Sequence, residues 1–382
     1  MTGEGLAIHR LMAELPVTGE AIDSFVKSHS FPLVEGPSVT FIFRGSADGV
    51  NLRHWIYGLE SSQPLERVPE TDLFFAIVEL PEKSRVEYKF EVWRDGGSHW
   101  IEDPLNDNRA RDPFGANSVA HGHGYEVPAW TLPDPEARPG RLEPFTFNSK
   151  ALGHAQKGSI YYPANYRKSR RYPLLVVHDG SDYIRFAGMK AVLDNLMHER
   201  AIPDLIVCFI DSQDRLNEYA AHEAHGRFLT EELVPDLERR LPLEARPQSR
   251  CLMGASFGAV ACLATAWQFP GFYGRLLLQS GSFAFTDIRG GSRRGPLFDP
   301  VVTFVNELRK DVKPFSERLF VSCGVYESLI YENRSLVPLL DQSGMEVHFV
   351  EARDGHNWEN WRDRLLEGLS WLFPGPFLMV YE

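Results

Sequence analysis

Between residues 38 and 93, short apolar runs alternate with turn residues. The runs 39–43 (VTFIF), 53–57 (RHWIY), 73–78 (LFFAIV) and 86–93 (VEYKFEVW) are rich in β-branched and aromatic residues and read as strands. The last alternates apolar and polar positions at period two, as a half-buried antiparallel strand does. Turn residues at Asp48-Gly49 and at Asp95-Gly96-Gly97 separate the runs. Short strands with turns between them predict a β-sandwich. Ahead of it, residues 1–30 carry helical amphipathic spacing at Leu11, Leu15, Ile22, Phe25 and Val26. Behind it, DPLN (103–106) and DPFG (112–115) read as a loop leading out.

Residues 128–140, PAWTLPDPEARPG, place four prolines in a short span. Such a stretch predicts a stiff, extended linker, and the domain boundary is set at its end: 1–140 and 141–382. Beyond it the texture changes. Apolar runs at 159–162, 173–177, 205–210, 250–253, 276–278, 319–322 and 347–350 alternate with helical patterns at 189–200, 228–241, 259–269 and 361–373. Continuous apolar runs such as PLLVV (173–177) suit strands buried on both faces. The second domain is therefore expected to be α/β, a mostly parallel sheet with helices on both faces.

At 382 residues, with 43% hydrophobic and 24% charged residues, the chain can bury a large core without staples. The net charge of −12 repels nucleic-acid phosphates and anionic lipid headgroups, so neither is an expected partner. Cys208, Cys251, Cys262 and Cys323 sit in or beside apolar runs with no C-x-x-C spacing, which predicts buried thiols in a reducing compartment. The first residues lack a basic start followed by an apolar run, and no stretch nears the ~18 apolar residues of a spanning helix. A cytoplasmic protein is the expectation.

The strongest chemical signal is GASFG at 254–258, a G-x-S-x-G between a buried strand and a helix. In that context the glycines leave room for a strained turn that lifts the Ser256 hydroxyl clear of the sheet. Ser256 is the expected nucleophile. His356, in DGHNW (354–358) after the last predicted strand, is its expected base. The acid that orients His356 should follow strand 319–322. Glu327 is best placed, with Glu332 and Asp354 as rivals. For the oxyanion, one backbone N–H should come from Phe257. The other should come from Gly180 or Ser181, in the loop after strand 173–177. His178 ends a buried strand and reads as a structural hydrogen bonder, whereas His222 and His225 read as loop residues facing solvent or substrate. His121 and His123, in HGHG, lack further ligands for a metal, and no metal or cofactor is expected.

The order and spacing of these motifs resemble the enterochelin (enterobactin) esterases. The resemblance runs through DPLN (103–106), PFGANS (113–118), HDG (178–180), DRLNEY (214–219), FLTEELVP (228–235), GASFG, QSGS (279–282), GVYE (324–327) and GHNWENWR (355–362). It implies an α/β-hydrolase preceded by an immunoglobulin-like, early-set sandwich. It also implies ester hydrolysis that releases iron from an imported siderophore, with Ser256, His356 and Glu327 as the triad. A ferric tris-catecholate is anionic and aromatic, so its site calls for cations and flat apolar faces. Arg215, Trp358 and Trp361 are the candidates, with Arg289, Arg293 and Arg294 as further loop cations. Two departures stand out: Ala259 where the family has a second glycine, and the basic tract 289–294.

Other functions fit parts of the sequence. A feruloyl or acetyl esterase acting on polysaccharide would share the hydrolase core. A glycan-binding protein would use the sandwich, with Trp55, Trp93 and Trp100 as platforms. A degenerate hydrolase would bind without turnover, although it would have no use for an intact Ser256 and His356.

Overall fold

The computed structural model describes residues 5–13, 16–288, 290 and 295–375. They form two compact units. The first is Met1–Val127 with two segments from later in the chain, Val325–Glu327 and Ala352–Asn357; the second is the remainder.

In the first unit, β1 (Leu33–Glu35), β2 (Ser38–Arg44), β5 (Glu66–Arg67) and β6 (Leu73–Glu79) form one sheet in the order β1-β2-β6-β5. β3 (Gly49–His54), β4 (Ser62–Pro64), β7 (Arg85–Arg94), β9 (Arg109–Asp112) and β10 (Gly115–His121) form a second, ordered β4-β3-β7-β10-β9, and β8 (Gly97–Ile101) also pairs with β7. All eight pairings in these two sheets are antiparallel. Alternation on β2 explains the layering. Val39, Phe41 and Phe43 point into a core shared with Leu52, Tyr88, Phe90 and Val92 of the other sheet. Phe41 meets Tyr88 edge-on at 4.8 Å between ring centroids. Ile42 points the other way, to Ile8, Leu11, Ile22 and Phe25 of helices Ala7–Ala13 and Gly19–Ser28.

Two local expectations are corrected. The strand expected at 53–57 runs instead over Gly49–His54, because the His54 ring accepts the Ile56 amide and turns the chain off the ladder. DPFG (112–115) is not an exit loop but the turn of the β9–β10 hairpin. There the Asp112 carboxylate accepts the Phe114 amide at 2.7 Å.

The second unit begins at Pro128. The proline-rich stretch is tied to it rather than closing the first: Asn195 donates to the carbonyls of Trp130 and Leu132, and the Gly140 amide donates to Asp194. A linker composition says nothing about such tertiary partners. β11 (Arg141–Asn148), β12 (Ala155–Tyr162), β13 (Leu174–His178), β14 (Ile206–Asp211), β15 (Arg250–Ala255), β16 (Arg275–Gln279), β17 (Arg318–Gly324) and β18 (Glu346–Ala352) form one sheet, ordered β11-β12-β14-β13-β15-β16-β17-β18. β11 and β12 are antiparallel and β12 is antiparallel to β14, while β14, β13, β15, β16 and β17 run parallel. This is the α/β-hydrolase sheet.

Leu174 and Val176 of β13 face a core packed under helices Phe257–Gln268, Val234–Arg240 and Asp299–Lys310. Leu175 and Val177 face the other side, under Met189–His198 and Leu365–Leu372. The helix expected over 228–241 opens as a π-helical turn, Phe228–Leu233. Pro235, in the first turn of the α-helix that follows, has no N–H to continue the regular ladder. All four cysteines are buried and unpaired with one another.

Candidate active site

β15 ends in a turn that carries Ser256 with φ 57° and ψ −120°, a conformation L-residues adopt only under constraint. Two features hold it. The Ser256 amide donates to the Gln279 carbonyl of β16 at 2.9 Å, and the chain then folds directly into helix Phe257–Gln268. A Cβ on Gly254 would lie 2.5 Å from the Gly258 backbone, so the close return of the helix onto the strand requires glycine there. The Ser256 Oγ lies 3.1 Å from the Oγ of Ser282. Phe257 is the first residue of the helix, where backbone N–H groups have no intrahelical partner.

The loop after β13 is built by neutral and charged pairs. His178 is fully buried. Its Nδ1 donates to the Met253 carbonyl at 3.1 Å, and its Nε2 meets His225 Nε2 at 2.9 Å. Burial pushes the His178 imidazole down to about 4 and His225 well below its ordinary range, so both rings are neutral. Asp179 takes a left-handed conformation, φ 53° and ψ 43°, and starts helix Gly180–Arg185. Gly180 packs so closely on Phe209 that a Cβ would lie 2.5 Å from it. The Ser181 amide and hydroxyl both donate to Asp211, at 2.8 and 2.9 Å.

In the first unit, His356 Nδ1 and Glu327 Oε2 are 2.5 Å apart, with the Glu327 side chain only 3% exposed and the imidazole 37% exposed. A carboxylate on Nδ1 fixes the tautomer that leaves Nε2 as the basic nitrogen, and it stabilises the imidazolium when that nitrogen takes a proton. The rival Asp354 is committed elsewhere: one of its oxygens accepts from the Gly355 amide, from Asn357 Nδ2 and from Arg85. Burial pushes its carboxyl up to about 6 against the pull of Arg85. Glu332 is fully buried within helix Ile330–Gln342.

The family model described as "Putative esterase" matches residues 149–372, more than half the chain and almost all of the second unit. This chain belongs to the esterase family. The esterase is a carboxylic ester hydrolase. It is 26% identical over 319 residues to an iron(III) enterobactin esterase of Escherichia coli, covering 80% of this chain and 74% of that protein. It is 26% identical over 354 residues to the iron(III) enterobactin esterase of Dickeya dadantii, covering 82% and 80%. Spans of that length extend beyond the second unit into the first. The fold matches that of the ferric enterobactin esterase from Salmonella typhimurium with a TM-score of 0.73 and 22% identity, over 88% of this chain and 93% of that one. The resemblance to the enterochelin esterases is thus met by both sequence and fold.

Several expected roles in the esterase change once burial and partners are visible. Arg215 does not stand as an unengaged cation. Its Nε and Nη2 grip both oxygens of Asp179 at 2.8 and 2.7 Å, bracing the turn into Gly180. Trp358 and Trp361 do not present flat faces at the surface. Both are buried, packed edge-on at 4.8 Å between centroids and against Tyr183, and Trp361 Nε1 donates to Ser280 Oγ at 2.9 Å. Spaced as WENW, they share one helix face, which turned to the core. His225, expected to face solvent or substrate, is buried against His178. Arg289, Arg293 and Arg294 lie outside the described residues. Among the described residues, no group of His, Cys, Asp and Glu is arranged to hold a metal. Ser282 was not singled out from sequence. Its signal was the QSGS motif, which says nothing of a hydroxyl beside Ser256.

Proposed function

We propose that the esterase hydrolyses the ester bonds of catecholate siderophores of the enterobactin type and so releases their iron in the cytoplasm. The observation that carries the chemistry is the 2.5 Å contact between His356 Nδ1 and the buried Glu327 carboxylate. It is the orienting half of an acyl-transfer triad. The strained turn at Ser256 is the form a nucleophile takes in this fold. The substrate class rests on the enterobactin esterases, which are similar along most of the chain.

In this reading Ser256 Oγ attacks the ester carbonyl while His356 Nε2 takes its proton. The oxyanion rests on the amides of Phe257 and Gly180. Of the two candidates in the loop after β13, Gly180 is preferred because the Ser181 amide is given to Asp211. His356 then returns the proton to the leaving alcohol, and the acyl-enzyme forms. Water, deprotonated by the same nitrogen, attacks the acyl carbon and frees Ser256 and a carboxylate. Glu327 holds the ring throughout. Iron enters and leaves as part of the substrate.

The test is incubation with ferric enterobactin, iron-free enterobactin and methyl ferulate, with products separated by chromatography and identified by mass. Linear trimer, dimer or monomer, absent with Ser256→Ala, is the expected result. Release of ferulate with intact siderophore would instead assign the esterase to polysaccharide-linked esters. Turnover undiminished in Ser256→Ala would end the assignment of the nucleophile.

A further inference from the structure

His356 and Glu327 lie in the segments Ala352–Asn357 and Val325–Glu327, which belong to the same compact unit as the sandwich. The bonds that hold them converge on the start of β7. The Arg85 amide donates to the Arg353 carbonyl at 2.9 Å. The Arg85 guanidinium, 3% exposed, reaches Asp354 Oδ1 at 3.3 Å and the Asn357 side-chain carbonyl at 3.0 Å. It thus grips the residues on either side of Gly355-His356. Ser84 Oγ lies 2.6 Å from the Tyr326 hydroxyl, next to Glu327. The Tyr326 amide donates to the Asp354 carbonyl and the Val325 amide to the Ala352 carbonyl, joining the two segments to each other. The Tyr57 amide donates to the Tyr326 carbonyl and Arg353 to the Glu82 carbonyl. Glu87, 3.3 Å from Arg85 and held by Asn117, completes the charge balance of the buried guanidinium.

A buried arginine bonded to two carboxylates and an amide holds a fixed position, because leaving any partner exposes an uncompensated charge. The turn at Asp354 is equally constrained: one carboxylate oxygen accepts from the Gly355 amide and the Asn357 side chain at 2.7 Å each. Together these bonds fix the chain on either side of His356, whose imidazole meets Glu327.

We infer that Arg85 is a positioning residue for catalysis: through Asp354 and Asn357 it sets the turn that presents His356 to Glu327, so the sandwich strand β7 is part of the hydrolytic apparatus. In this role Arg85 acts through Asp354 and Asn357 rather than on the ester itself. The inference rests on the proposed roles of His356 and Glu327.

It is tested in the full chain on an activated p-nitrophenyl ester, whose cleavage is independent of siderophore recognition, with Ser256→Ala as the inactive reference. A one-dimensional proton spectrum gives a second readout, the downfield Nδ1 proton of the His356–Glu327 hydrogen bond. Its assignment comes from its loss in Glu327→Gln. A small displacement of the base is expected to lower kcat by ~10–100-fold in Arg85→Ala, with KM changed less than about threefold and the downfield proton shifted or broadened. Arg85→Lys, which keeps the charge, should recover part of kcat. Asp354→Asn should lower kcat in the same way, and adding Arg85→Ala to it should cost little more. Melting temperature distinguishes these effects from unfolding.

A kcat in Arg85→Ala within twofold of the parent, beside an inactive Ser256→Ala, overturns the inference alone. So does a loss that follows the folded fraction with the downfield proton unmoved. If Ser256→Ala stays active, the proposed nucleophile fails, and an unmoved proton in Arg85→Ala still overturns the positioning role.

Discussion

Glu327 and Asp354 are buried carboxylates near His356, one on Val325–Glu327 and the other on Ala352–Asn357, the segment that bears His356, and their partners separate them. Glu327 meets the imidazole, so Glu327→Gln should lower kcat by ~10²–10⁴ with the fold intact, as loss of an orienting carboxylate does; steady-state kinetics and circular dichroism check both halves. Asp354 meets backbone, amide and guanidinium, and its carboxyl is pushed up to about 6 by burial from an ordinary 3.8. A carboxyl raised on folding favours the folded state most when protonated. Its contribution is therefore complete below about pH 4 and is lost as pH rises through about 6. The parent should gain stability relative to Asp354→Asn on acidification from pH 7 to 4, by on the order of 3 kcal/mol. Urea titrations of both proteins across that range measure it, and a gap that widens toward pH 7 would contradict it. At this scale the constrained turn at Ser256 and the meeting of His356 with a carboxylate were legible from motif and chain order. The pairing of Arg215 with Asp179 and the burial of Trp358 and Trp361 were not legible, because the pairing of a charge and the burial of an indole depend on residues far away in sequence.

At the scale of elements, the strand–turn–helix around Ser256 depends on one close approach. A methyl group on Gly254 meets Gly258 backbone at 2.5 Å, whereas one on Gly258 meets His178 Cβ at 3.3 Å and Asp179 at 3.4 Å. Backbone held by both a strand and a helix gives way poorly. Gly254→Ala is therefore expected to abolish turnover or yield unfolded protein, while Gly258→Ala folds and retains measurable activity; expression, melting temperature and p-nitrophenyl ester hydrolysis compare the two. The apolar runs located every strand of the parallel sheet because each must be buried on both faces. β11 carries no such run: most of its positions are exposed and Pro144 stands within it. The β9–β10 hairpin is not legible because an Asp-Pro turn looks the same whether or not strands flank it.

For the whole molecule, the consequence of greatest weight is that the sandwich unit includes the segments bearing His356 and Glu327. Unfolding that unit should displace His356 and Glu327, the proposed base and its acid, even where the sheet that carries Ser256 persists. Phe41→Ala, which empties part of the core shared with Tyr88 and Phe90, should destabilise the unit by about 3–5 kcal/mol. It should also move the loss of ester hydrolysis to lower urea. Activity and tryptophan fluorescence followed through one titration test this. Activity that outlives the transition of the first unit would contradict the assignment.

By itself the sequence determined the α/β-hydrolase sheet, the sandwich ahead of it and the strand–turn–helix that carries Ser256, because each is written in local periodicity or in residues a few positions apart. Only the tertiary structure decided that Glu327 rather than Asp354 meets His356, that Arg215 answers Asp179, that the tryptophans of WENW are core, and that Arg85 holds the turn beside the base. Those choices are made by contacts between residues up to 272 positions apart. The reason is physical: burial and charge pairing are properties of the assembled surroundings, and a linear pattern records which groups are present but not which of them meet.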